Sequence, residues 1–139
     1  MSESTVVYYS PREEIANAVT HGFATIASIA GLVLLIVFAL KFSGDTVLVT
    51  SVTIFGASMI LLYLASTLYH AISHPQAKQV LQLLDHAMIF VLIAGSYTPF
   101  CLVTLEGIVG YVLCAAVWAI AIIGVTMQSF LLKKSDWIS

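Results

Sequence analysis

A chain of 139 residues that is 60% hydrophobic, with five Lys and Arg against seven Asp and Glu, carries too little charge to cover a soluble domain. Its net charge of -2, without a basic cluster, argues against a nucleic-acid partner. Its mean hydropathy of +1.05 predicts an all-α, polytopic membrane bundle whose few charges punctuate apolar runs.

Residues 1–21 are mixed and include Glu3, Glu13 and Glu14. They lack the basic start, short apolar core and small-residue cleavage site of a secretory signal, so this start is expected to be retained. Ser10-Pro11-Arg12-Glu13 reads as a helix start, with Ser as N-cap, Pro at the first helical position and Glu three residues after the cap. Nothing breaks that helix before Phe42-Ser43-Gly44. At about 1.5 Å per residue it exceeds a hydrocarbon core of roughly 30 Å. Residues 1–21 are therefore assigned to a cytoplasmic segment and an interfacial helix start, and the first span to about 22–41.

Gly44 is a helix stop, and Asp45 or Thr46 can cap the second span, about 47–70. Ser73-His74-Pro75 ends it and is expected to open a short polar loop carrying Lys78. The third span, about 83–103, contains Pro99 as an expected kink. Glu106-Gly107 is the turn into a fourth span, about 108–132, followed by a tail at 133–139. Cys101 and Cys114 lie in apolar runs and read as inert buried thiols. Arg12, Lys78, Lys133 and Lys134 fall on one side of the membrane and Lys41 on the other, a bias that places both termini in the cytoplasm.

This orientation brings polar groups of three helices to one depth: His21, then Ser66 and His70 one turn apart, then Asp85. Asp85 and His86 are successive and point about 100° apart, so only one faces a site fully. Glu14, Asn17, His21, Thr25 and Ser28 form a stripe on the first helix that either lines the site or packs by hydrogen bonds. Ala27 and Gly31 form a small-xxx-small pair that would let another helix approach. A metal would explain a buried Ser/His/Asp set economically, since neutral imidazole suits Zn²⁺ and a bound water becomes a nucleophile. A histidine merely hydrogen-bonded at the membrane boundary is the plainer alternative.

Three blocks carry a family likeness. Glu13-Glu14-Ile15-Ala16-Asn17-Ala18-Val19-Thr20-His21-Gly22 resembles the opening motif of hemolysin III-like proteins, the bacterial branch of the progestin and adipoQ receptor superfamily. Ala65-Ser66-Thr67-Leu68-Tyr69-His70-Ala71 is similar to the Ser-x-x-x-His signature of its second span. Leu84-Asp85-His86 with Ile93-Ala94-Gly95-Ser96-Tyr97-Thr98-Pro99-Phe100 is similar to its third-span block. The blocks occur in the family's order and spacing, from about Glu13 to the end of the fourth span.

The resemblance implies the first four helices of a seven-helix bundle in the bacterial cell (inner) membrane. It implies a zinc near the cytoplasmic side, with His70 as a metal ligand and Ser66 and Asp85 as catalytic partners that orient or activate a bound water. The family's remaining ligands are a His-x-x-x-His pair on the last span, which this chain lacks. His70-Ala71-Ile72-Ser73-His74 has that spacing, but His74 stands beside Pro75 at a helix end. With one transferred ligand a closed tetrahedral site is not available in the monomer, so zinc is expected to be weak or absent. The expected function is that of a sensor or a membrane and lipid-homeostasis factor. The alternatives are a zinc-dependent lipid amide or ester hydrolase of the ceramidase type and a pore-forming cytolysin. The expected partners are membrane lipids and either a second copy or a separate C-terminal half, the chain reading as a shortened version of a longer protein.

Overall fold

A computed structural model describes the backbone of residues 9–137 and the side chains of residues 9–130. Four α-helices follow in order: α1 Pro11–Phe42, α2 Thr46–Ala71, α3 Pro75–Pro99 and α4 Gly107–Trp137, with a π-helix over Phe100–Leu105 continuing α3. All four contain stretches long and apolar enough to cross a membrane. No strand occurs among the described residues.

Local chemistry sets the helix ends. Ser10 and Glu13 make a reciprocal capping box: the Ser10 hydroxyl accepts from the Glu13 N–H at 3.4 Å, and the Glu13 carboxylate accepts from the Ser10 N–H at 2.9 Å. Gly44 closes α1 at φ +65°, where its N–H reaches the Ala39 carbonyl at 2.9 Å. Asp45 caps α2 by accepting from the Leu48 N–H at 3.0 Å. The turn at Glu106-Gly107 takes positive φ at both residues.

The connection from α2 to α3 is shorter than expected. Only Ile72–His74 lies outside helix, because Pro75 starts α3 instead of prolonging a loop. Lys78 therefore sits in the first turn of α3, buried. The disruption expected at Pro99 takes the form of the π-helix. Proline has no N–H for the bond four residues back, and its ring displaces that carbonyl.

The helix backbones pack in chain order as an open row: α1 on α2, α2 on α3 and α3 on α4, with no packing of α1 on α4 among the described residues. Each interface has a glycine at a close approach. Gly56 of α2 receives Leu32 of α1, Gly95 of α3 lies on Ser58 of α2, and Gly124 of α4 lies under the Phe90 ring of α3. Gly31, in the small-xxx-small pair, has open space where a Cβ would be, so no helix among the described residues packs on it. Most hydroxyls in the spans are satisfied locally. Thr25, Ser28, Ser51, Thr53, Ser58 and Thr67 donate to carbonyls three or four residues back. Thr98 does the same and also accepts from Trp118 Nε1 at 3.0 Å, joining α3 to α4.

A Cβ at Gly95 would lie 2.8 Å from Ser58 Cβ, whereas one at Gly31 meets nothing within 4 Å. Gly95→Ala should lower stability by about 1–3 kcal/mol through overpacking. Gly31→Ala should be neutral or stabilise by up to about 1 kcal/mol through helix propensity. Thermal unfolding of the two variants in one detergent checks the contrast.

Candidate functional site

The ionisable groups gather where α1 begins, α2 ends and α3 begins. Residues seven apart return to the same face of a helix, so α1 presents both Glu14 and His21 toward α2. α2 answers with Ser66 and His70, four apart and hence neighbours on its surface. α3 contributes Lys78 from its first turn.

Glu14 is the hub. Its Oε1 accepts from Lys78 Nζ at 2.6 Å and its Oε2 lies 2.7 Å from His70 Nδ1, so one carboxylate ties three helices together. The three side chains are well buried: Lys78 is 4%, His70 7% and Glu14 17% exposed. Such a pair survives away from water because each charge has a partner and the spare donors are used. Lys78 also donates to the Tyr69 carbonyl at 3.0 Å and lies 4.7 Å from the centre of the Tyr69 ring. A second pair stands beside it: His21 Nδ1 and Ser66 Oγ are 2.6 Å apart. The His21 and His70 rings meet edge to face at 6.0 Å, and Tyr9 and Tyr69 flank the His70 ring at 5.4 and 4.8 Å.

A half-open cavity of about 350 Å³ adjoins this cluster. Glu14, His70, Lys78 and Ser73 make its polar wall, while Ile15 and Ala18 of α1 make an apolar one. Of the residues singled out from sequence, the structure thus joins Ser66 to His21 and sets His70 beside them. Asp85 is half-buried on α3 and makes no hydrogen bond or ion pair among the described residues. His86 uses Nδ1 on the Gln82 carbonyl of its own helix at 2.7 Å. His74 is an exposed N-cap. Lys133 and Lys134, part of the charge bias, lie outside the described side chains.

Comparison with known proteins decides the lineage. A family model described as haemolysin-III related matches residues 9–139. The chain belongs to the haemolysin-III related family. It is 48% identical over 126 residues to a hemolysin-3 homolog of Bacillus subtilis (strain 168), covering 91% of this chain and 59% of that protein. It is 47% identical over 123 residues to hemolysin-3 of Bacillus cereus, covering 88% of this chain and 56% of that protein. The chain thus spans a little over half the length of these relatives. No solved structure matches.

In this haemolysin-III related chain the donor chemistry suits one metal position. A carboxylate on Nδ1 is the arrangement that orients a metal-binding histidine, and Nε2 of His70 has no partner among the described residues. No group of three His, Cys, Asp or Glu side chains that could hold a metal occurs among the described residues. Among the described residues His70 is thus a candidate ligand without a closed shell around it.

Sequence reasoning places Lys78 in a loop and in the charge bias, and Glu14 in a stripe and in the opening motif, without joining the two. The signal available was that an acid and a base occupy the first turns of two helices starting on the same side. Breaking a buried pair leaves a lone charge, so Lys78→Met or Glu14→Gln alone should cost about 3–5 kcal/mol. The double variant should recover much of that loss, and a double-mutant cycle by chemical unfolding in detergent measures the coupling.

Proposed function

We propose that this chain is a membrane-embedded sensor or lipid-homeostasis factor that receives the polar end of an amphiphile in the cavity beside Glu14, His70 and Lys78. The observation that carries the reading is a self-neutralised charged cluster forming one wall of a half-open cavity whose other wall is apolar. Ligand sites combine a few fixed polar groups with apolar surface in this way. The cavity lies at the end of the helix row holding Arg12 and Lys78, the side that the positive-inside tendency assigns to the cytoplasm of a bacterial cell (inner) membrane.

A second reading, a hydrolase of lipid amides or esters, draws on the hydroxyl–imidazole contact between Ser66 and His21. In that reading Ser66 and Asp85 serve as catalytic partners. Zinc, when bound, would take His70 and supply a polarised water, its other ligands coming from a second copy or a separate C-terminal half. Ser66 is only 4% exposed and Asp85 has no partner among the described residues, which weighs against this route for the chain alone. The two relatives carry hemolysin names, and cytolysis would need a continuous polar lining. The hydroxyls of α1 and α2 that bond back to their own carbonyls weigh against one.

Reconstitution into vesicles separates these readings. The sensor reading expects thermal stability that depends on lipid head group, with neither dye leakage nor fatty-acid release. Leakage in proportion to protein would replace it with the pore, and fatty-acid release abolished by His70→Ala would replace it with the hydrolase. Protein loaded with zinc and then gel-filtered should retain well below one equivalent. A stoichiometric zinc lost in His70→Ala would instead show that the chain closes a metal site.

A further inference from the structure

We propose that the cavity beside α1 is the seat of the chain's own Val6-Val7-Tyr8, a plug that crosses its mouth and that an incoming amphiphile displaces. The seat stands on the geometry of the cavity, and the displacement rests on the amphiphile reading above.

The path of the backbone comes first. Pro11 disfavours helix at the residue before it, and Ser10 is extended at φ -63° and ψ 152°. The chain ahead of α1 thus leaves the helix axis at Ser10. It turns onto α2: the Tyr9 ring lies 5.4 Å from the His70 ring, and Tyr9 lines the cavity together with His70 and Ala71. A hydrophobic residue just before an N-cap ordinarily packs on the fourth residue of its own helix. Here that residue is Glu14, which is engaged by Lys78 and His70. Tyr9 serves the junction of α1 with α2 instead, and it brings the residues before it to the rim of the cavity.

The chemistry of those residues fits what lies there. Val6, Val7 and Tyr8 are outside the described residues, and they form an apolar run after the polar Ser2-Glu3-Ser4-Thr5. Valine and tyrosine favour extended backbone, in which side chains two apart share a side. Val7 then falls on the side of Tyr9, toward Ile15 and Ala18, the apolar wall of the cavity. Ile15 is 65% exposed, apolar surface that a valine side chain would cover. The sizes agree as well: a sphere of 350 Å³ is about 9 Å across, and three extended residues span about 10 Å.

Disulfide trapping in the whole chain, in detergent, tests the seat. Val7→Cys is combined either with Ala18→Cys, on the cavity wall, or with Val19→Cys, its neighbour on the 65% exposed side of α1. Copper phenanthroline is the oxidant, and peptide masses identify the link, so Cys101 and Cys114 stay in place. The Ala18 pair should close about tenfold faster than the Val19 pair, and monoolein should slow it. Val7→Asp, a change ahead of the α1 cap that needs no cysteine, should bind monoolein about tenfold more tightly than wild type. That is the gain expected when a competitor filling about nine cavities in ten is removed. Equal rates at positions 18 and 19, or a link that joins two chains, overturn the seat, while monoolein binding keeps the amphiphile reading. Equal monoolein affinity in wild type and Val7→Asp overturns the plug. A fast Ala18 link with no monoolein binding by either chain upholds the seat and removes the amphiphile reading.

Discussion

A carboxylate placed among helix faces must be matched where it stands, and Glu14 is matched twice. Its two oxygens face Lys78 and His70, so the same group that would be costly alone becomes the joint between α1, α2 and α3. Through its bond to Lys78, α1 reaches past its neighbour α2, although the backbones of α1 and α3 do not pack together among the described residues. The orientation of His70, the shape of the cavity and the seat of α3's first turn all follow from it. Apolar contacts between helices cannot fix such details, because lipid tails are as apolar as the side chains they would replace.

The rest of the polarity is spent locally. A hydroxyl that donates to a carbonyl on its own helix satisfies itself without specifying a partner, and most Ser and Thr of the spans do this. Two contacts are exceptions, Thr98 with Trp118 and Ser66 with His21, and both cross between helices. Helix approach is set instead by shape, through Gly56, Gly95 and Gly124. The chain thus divides its labour: glycines set how near the helices come, and one charged cluster sets how they are turned at one end.

The sequence made the helix ends legible because caps are local. Ser10 with Glu13, Gly44 and Asp45 each act within a few residues, and each stands where the sequence places it. Pro75 shows the limit of that method. Pro11 reads as a helix start and Pro75 as a stop, yet both occupy the first helical position, which puts Lys78 in helix instead of loop. Gly31 shows a second limit: a small-residue spacing permits an approach without naming a partner, and here α1 meets α2 through its own Leu32 on Gly56 instead. The site was legible as a set of depths. Depth put His21, Ser66 and His70 in one neighbourhood, but it could not tell that Glu14 and Lys78 complete the cluster while Asp85 stands without a bond among the described residues.

That distinction bears on what the chain can do by itself. A tetrahedral metal site needs four ligands, and the described residues assemble no group of three. The charged cluster has no such deficit, since Glu14, Lys78 and the Nδ1 side of His70 satisfy one another within three consecutive helices. An open row of helices leaves α1 and α4 with broad apolar flanks, which in water would be a liability and in lipid need no cover. Among the described residues the charged cluster closes on itself, while no metal shell does.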